Sequence, residues 1–139
     1  MRAGDPPVCD TRGVPGPGPF SAAYLDHLAS PRGQGTLEGA THRATVEDPV
    51  CGDRLTLDLR VEAGVVREAR FRVAGCTGAI AVGSALASLL PGRNATETAV
   101  SGIELEATLE GVPPARRHAL RLATETLRAA VRTPRAPEA

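Results

Sequence analysis

Two runs of alternating residues leave this chain few folds to choose from. Leu55, Leu57, Leu59 and Val61 alternate with Arg54, Thr56, Asp58 and Arg60, the period-two pattern of a strand with one buried and one wet face. Ala69, Phe71 and Val73 alternate in the same way with Glu68, Arg70 and Arg72. Glu62-Ala63-Gly64 lies between them and predicts a reversal, so the runs pair antiparallel as a hairpin that buries a single side. Thr41 to Val46 predicts an earlier strand with Ala44 and Val46 on one face, and Asp48-Pro49 turns the chain out of it.

The rest of the chain reads as helices. Ser21 caps a short helix through Leu28, with Tyr24, Leu25 and Leu28 at helical spacing and Pro31 as its stop. From Thr77 to Leu90 apolar residues fall on nearly every face, the pattern of a buried helix, and Pro91-Gly92 ends it. Asn94 is placed to cap a short helix, and Ser101 to cap another containing Ile103, Leu105 and Leu109. Pro113-Pro114 opens the last helix, where Leu120, Ala123, Leu127 and Val131 recur every three or four residues. The only aromatic residues are Phe20, Tyr24 and Phe71, so the core must be aliphatic.

A chain of 139 residues allows one domain of ordinary size. We place it at residues 20–132, after a Gly/Pro-rich arm over 1–19 that reads as disordered and before a tail over 133–139 expected to fray. The arm has no apolar centre of the kind a signal peptide needs. The uncharged stretch from Val73 to Gly92 is as long as a membrane span, but its glycines, its proline and its position after an alternating strand make it a strand end, turn and buried helix. Three cysteines cannot all pair within one chain, which points to a reducing compartment and a cytoplasmic protein. Sixteen basic residues, all arginine, balance sixteen acidic ones, so the expectation is no general nucleic-acid binding and no membrane association.

Chemistry is concentrated at a few positions. Cys51-Gly52-Asp53 stands at the entry to the first hairpin strand, and Gly52 lets a thiolate and a carboxylate point into one space. Cys76 follows the second strand and precedes the buried helix, whose N-terminus favours a thiolate. In an antiparallel hairpin the start of one strand and the end of the next share an edge, so Cys51, Asp53 and Cys76 converge. A terminal helix packed over the sheet would bring His118 to the same edge, completing a two-sulfur, one-oxygen, one-nitrogen set suited to zinc or iron. Taken singly, each has a plain structural reading: Cys51 and Cys76 as packed thiols, Asp53 as a turn cap, His118 as a solvated helix-end residue. His27 and His42 read as surface or structural, and Cys9 as an incidental thiol of the arm.

The order and spacing of several segments carry a resemblance. These are Asp26-His27 through Pro31-Arg32 with Gly35 and Leu37, Asp48-Pro49-Val50-Cys51-Gly52-Asp53, Phe71 through Gly75-Cys76, and Val112-Pro113-Pro114-Ala115-Arg116 followed by Arg117-His118. Together they resemble the iron-sulfur cluster assembly scaffolds of the IscU type, also found as the N-terminal domain of NifU, over about Ser21 to Val131. The resemblance implies an α+β fold (the SufE/NifU fold), in which a three-stranded antiparallel sheet is packed by helices and metal is held at one tip. It implies the same four ligands, Cys51, Asp53, Cys76 and His118, for a transient two-iron two-sulfur cluster or iron, with zinc possible in its place. It also implies partners: a cysteine desulfurase, acceptor iron-sulfur proteins, and a chaperone pair that grips Val112, Pro113, Pro114, Ala115 and Arg116 to drive cluster release. Such a protein is not an enzyme. The departure is Ala119, where the family has a cysteine after the histidine that accepts sulfur from the desulfurase. Two readings follow, a working scaffold and a degenerate relative that holds zinc and regulates or docks on the desulfurase.

Overall fold

A computed structural model describes residues 20–134 other than 51 and 76. The elements run α1 (Ala22–Ala29), β1 (His42–Glu47), β2 (Arg54–Glu62), β3 (Val65–Ala74), α2 (Thr77–Leu89), α3 (Gly102–Thr108), a 3-10 turn (Pro114–Arg116) and α4 (His118–Val131). The strands form one antiparallel sheet in the order β1-β2-β3. This is the expected α+β architecture. The arm, Cys9 and residues 135–139 lie outside the described residues. No described helix is long and apolar enough to cross a membrane.

The hairpin forms as its pattern dictates. Ala63 and Gly64 both take left-handed backbone, φ 54° and 76°, the turn that matches the twist of paired strands. A register shift between Arg60 and Val61 then brings Val61 opposite Val66, and Val66 is buried although it lies outside the alternating run. Leu55, Leu57, Leu59, Ala69 and Phe71 make the apolar face, each 5% exposed or less. Across it α4 packs on β1 and β2, α2 packs on β3, and α1 packs on α2. Gly83 of α2 lets the Phe71 ring come close, since a Cβ there would lie 2.7 Å from Cδ2. The outer edge of β3 is covered. Phe71 N–H donates to Gly33 O at 2.8 Å, Gly35 N–H donates to Phe71 O at 2.9 Å, and Val66 exchanges bonds with Gly92 and Arg93, so no long unpaired edge is left on that side.

Helix caps also match expectation. Ser21 Oγ accepts from Tyr24 N–H at 2.9 Å and donates to Leu109 O, which ties α1 to the end of α3. Ser101 Oγ accepts from Glu104 N–H. Thr133 N–H donates to Ala130 O at 3.1 Å and Pro134 bridges to His42, so the chain is tied to β1 through residue 134. His27 is buried, with Nδ1 2.7 Å from Ser84 Oγ, a structural contact between α1 and α2.

Several expectations are corrected. No helix follows Asn94, which instead bridges to Val65 and joins the cover over the hairpin. Leu25 and Ile103 are 48% and 84% exposed, because α1 and α3 are short and bury only one side. Pro114 starts a 3-10 turn and α4 begins at His118, since the proline pair favours the tight turn before the regular helix. The largest correction is Asp58, which alternation assigns to water and which is fully buried. Arg43 Nε and Nη2 donate to its two carboxylate oxygens at 2.6 and 3.1 Å, Arg72 Nη2 donates at 3.2 Å, and Leu37 N–H donates at 3.0 Å. Arg72 Nη1 also donates to Thr36 Oγ1 at 2.9 Å. The segment around Thr36 and Leu37 is thereby fastened across the outer face of the sheet and removes Asp58 from solvent.

Candidate metal-binding tip

The loop between β1 and β2 is a tight, internally bonded turn. Asp48 N–H donates to Asp53 O at 2.7 Å and Gly52 N–H donates to Asp48 O at 2.8 Å. Asp48 Oδ1 accepts from Val50 N–H at 2.8 Å, an Asx turn that uses an aspartate's short reach. Gly52 sits at φ 78°, where a Cβ is disfavoured. Val50 projects from the loop at 88% exposure, whereas the Asp53 side chain turns inward and is 6% exposed.

The end of β3 closes on that carboxylate. Arg54 pairs with Ala74, so the residues just outside the ladder, Asp53 and Gly75, come side by side. A Cβ at Gly75 would lie 2.2 Å from Asp53 Oδ1 and 2.7 Å from its Cγ. Glycine is therefore what lets the carboxylate lie against the backbone leading to position 76.

The third component arrives from the far end of the sequence. His118 is the first residue of α4, and its Nε2 lies 3.4 Å from Asp53 Oδ2 across 65 positions of chain. The His118 side chain is 30% exposed, so the pair stands at a solvent boundary. Two contacts aim it. Arg117 pairs with Glu106 of α3, and the Arg116 side chain lies across the first turn of α2, where a Cβ at Gly78 would be 2.9 Å from Arg116 Cδ. Ala119 is 1% exposed and belongs to the core. In the segment Val112–Arg116, Val112 and Pro113 are buried, Pro114 and Ala115 are exposed, and Arg116 is half-buried.

Of the four expected ligands, Asp53 and His118 are thus brought together, while Cys51 and Cys76 lie outside the described residues. Among the described residues no group of three or more His, Cys, Asp or Glu is arranged to hold a metal ion. A carboxylate oxygen and an imidazole nitrogen facing each other can share a proton or share an ion. The backbone leading to each cysteine, Gly52 on one side and Gly75 on the other, flanks the same aspartate. The sequence reading missed Gly75 and Gly78 as shapers of this tip. The signal was small residues at the two ends of a strand-to-helix junction.

Residues 20–137 match the NifU-like N terminal domain family. The iron-sulfur cluster assembly scaffold protein IscU 1 of Archaeoglobus fulgidus is 31% identical over 113 residues, covering 81% of this chain and 74% of that protein. The nitrogen fixation protein NifU of Cereibacter sphaeroides is 43% identical over 108 residues, 77% of this chain and 44% of the relative. Among solved structures, the N-terminal part of a NifU-like protein from Brucella abortus superposes with a TM-score of 0.68 at 21% identity, covering 81% of this chain and 91% of that one. That superposition concerns the fold.

Proposed function

The chain belongs to the NifU-like N-terminal domain family, and from that premise we propose that it is an iron-sulfur cluster assembly scaffold that holds its cargo at the Asp53–His118 tip. The observation that carries the reading is the meeting of Asp53 and His118 beside the backbone that leads to both cysteines. Named relatives are IscU scaffolds, and the residue types suit the task. In this reading Cys51 and Cys76 supply thiolates, Asp53 a carboxylate and His118 the Nε2 lone pair, and the cargo is a two-iron two-sulfur cluster.

Each group has a separate job. Thiolates bind iron bridged by sulfide strongly, whereas a carboxylate is a harder and more labile ligand. Asp53 is the ligand that lets go. Its burial against Gly75 keeps the carboxylate in place when no cargo is bound, and the half-open His118 gives an acceptor protein a route to the metal. The chain performs no bond-breaking chemistry of its own. A cysteine desulfurase provides sulfur, and the exposed Pro114-Ala115 step is the part of the Val112–Arg116 handle that a chaperone can reach. Ala119, a methyl group in the core, neither accepts sulfur nor binds iron, so sulfur reaches the site without that residue.

Anaerobic reconstitution with iron and sulfide tests the reading. The protein should gain the visible absorption of a two-iron two-sulfur cluster and lose it in Cys51→Ala and Cys76→Ala. Asp53→Cys should hold the cluster and release it more slowly to an acceptor. Tight zinc in the purified protein, with no sulfide uptake under any condition, would replace the scaffold by the zinc-holding relative.

A further inference from the structure

The face of the sheet turned away from the helices carries a cavity that the tip does not use. It has a volume of about 300 Å3 and is lined by Arg43, Thr45, Arg54, Thr56, Arg72 and Ala74, among others. Strand register accounts for the set. Thr45 stands opposite Thr56 and Thr56 opposite Arg72, while Arg54 stands opposite Ala74 on the same face. A floor of two hydroxyls therefore lies between guanidinium groups, and alanine at position 74 leaves one side open.

Hydrogen-bond accounting shows what the cavity can take. Thr45 Oγ1 and Thr56 Oγ1 are 2.7 Å apart, so one donates to the other and the second keeps a hydrogen to give. Arg72 gives Nη1 to Thr36 and Nη2 to Asp58, and its Nε is buried with no partner. That nitrogen is shielded from solvent, so Arg72 brings charge to the cavity rather than a bond to an ion in it. Arg54 gives Nη2 to the half-exposed Glu47 at 3.3 Å. Three guanidinium groups are met by two carboxylates, Asp58 and Glu47, so the cavity has a positive balance and donors in excess.

From these donors and this charge we propose that the cavity binds a tetrahedral oxyanion of the phosphate class. The lining comes from three strands, and an ion with four oxygens can accept from more of these groups at once than a carboxylate with two. Guanidinium groups suit such oxygens through charge-assisted, forked bonds. Free phosphate and a phosphate ester share this chemistry. The site is separate from the metal-binding tip and touches it only through the chain: Arg54 follows Asp53, and Ala74 precedes Gly75. A bound anion would rest on the two strand ends that carry the tip.

The full chain, labelled with nitrogen-15, is titrated with inorganic phosphate at constant ionic strength, chloride being the balancing ion. The Arg54 Nε–H signal and the Thr45 and Thr56 amides should shift saturably. Arg54→Gln, at an exposed position, should weaken binding about tenfold, the loss of roughly one charge-assisted bond, and leave the rest of the spectrum in place. Shifts that do not saturate, or that are the same in Arg54→Gln, overturn the proposal. Glycerol phosphate binding more tightly than inorganic phosphate assigns the site to an ester, and weaker binding assigns it to the free ion. Acetate binding as tightly as either overturns the tetrahedral assignment.

Discussion

Asp53, at the entrance to β2, and Asp58, in the middle of it, are both buried, and their surroundings give them opposite uses. Asp58 is gripped by Arg43 and Arg72 and by the Leu37 amide. Arginine is always charged and has no lone pair to offer a metal, so Asp58 is committed to holding the strap over the sheet. Asp53 faces His118 at 3.4 Å, and imidazole can give up a proton and bind a metal. A buried carboxylate held by permanent cations is a fastening, and one held opposite a histidine at a solvent boundary is the one to which we assign the cargo.

The largest expected effect tests the fastening. Asp58→Asn removes the charge shared by two arginines and should cost about 3 kcal/mol of stability, the range for breaking a buried pair, read by urea denaturation. Asp53→Asn keeps the shape and should change stability by about 1 kcal/mol or less, while reducing cluster retention. Equal losses of stability in the two variants would erase the contrast.

Gly75→Ala sharpens it from the other side. The new methyl would lie 2.2 Å from Asp53 Oδ1, at φ 150°, so the carboxylate must move. Overpacking of this kind costs about 1–3 kcal/mol. The variant should bind less iron per chain by metal analysis, and unchanged iron binding would mean that the position of Asp53 does not matter to the tip.

The smallest effect comes from pH and separates both aspartates from the histidines. Burial, with help from Arg32, lowers the pKa of His27, and burial lowers that of His42. The unfolded chain then takes up protons first, near the ordinary histidine value of about 6.5. Stability is complete above that value and falls as the pH drops from it through the lowered folded values. Glu68, Glu104 and Glu106, held below the usual carboxylate range chiefly by hydrogen bonds from Arg70, Arg93 and Arg117, lose their share only at lower pH. The denaturation midpoint should fall on mild acidification, and His27→Gln should flatten part of that fall. A midpoint that rises instead would contradict the burial of both histidines.

Much of the fold was legible because its signals are local. Leu55 to Val61 and Ala69 to Val73 show their faces by alternation, Ser21 and Ser101 cap within one turn, and Ala63-Gly64 makes its own reversal. Misreadings arose where a distant segment decides. Asn94 looks like a helix cap until Val65 claims its backbone, and which of Ile103 and Leu105 is buried is decided only by the neighbours of α3. Asp58 looks wet because the strap that covers it is a loop with no periodicity. Half of the expected tip, Asp53 and His118, stands together in the structure.

The sequence alone determined which segments become strands and helices, where they turn and which face is apolar, because these depend on side-chain period and on backbone preferences a few residues long. Only the tertiary structure decided that Asp58 is fastened and Asp53 lies beside His118, since each depends on contacts between segments far apart in the chain. Burial and charge compensation are properties of a packed neighbourhood, and no local pattern states who the neighbours are.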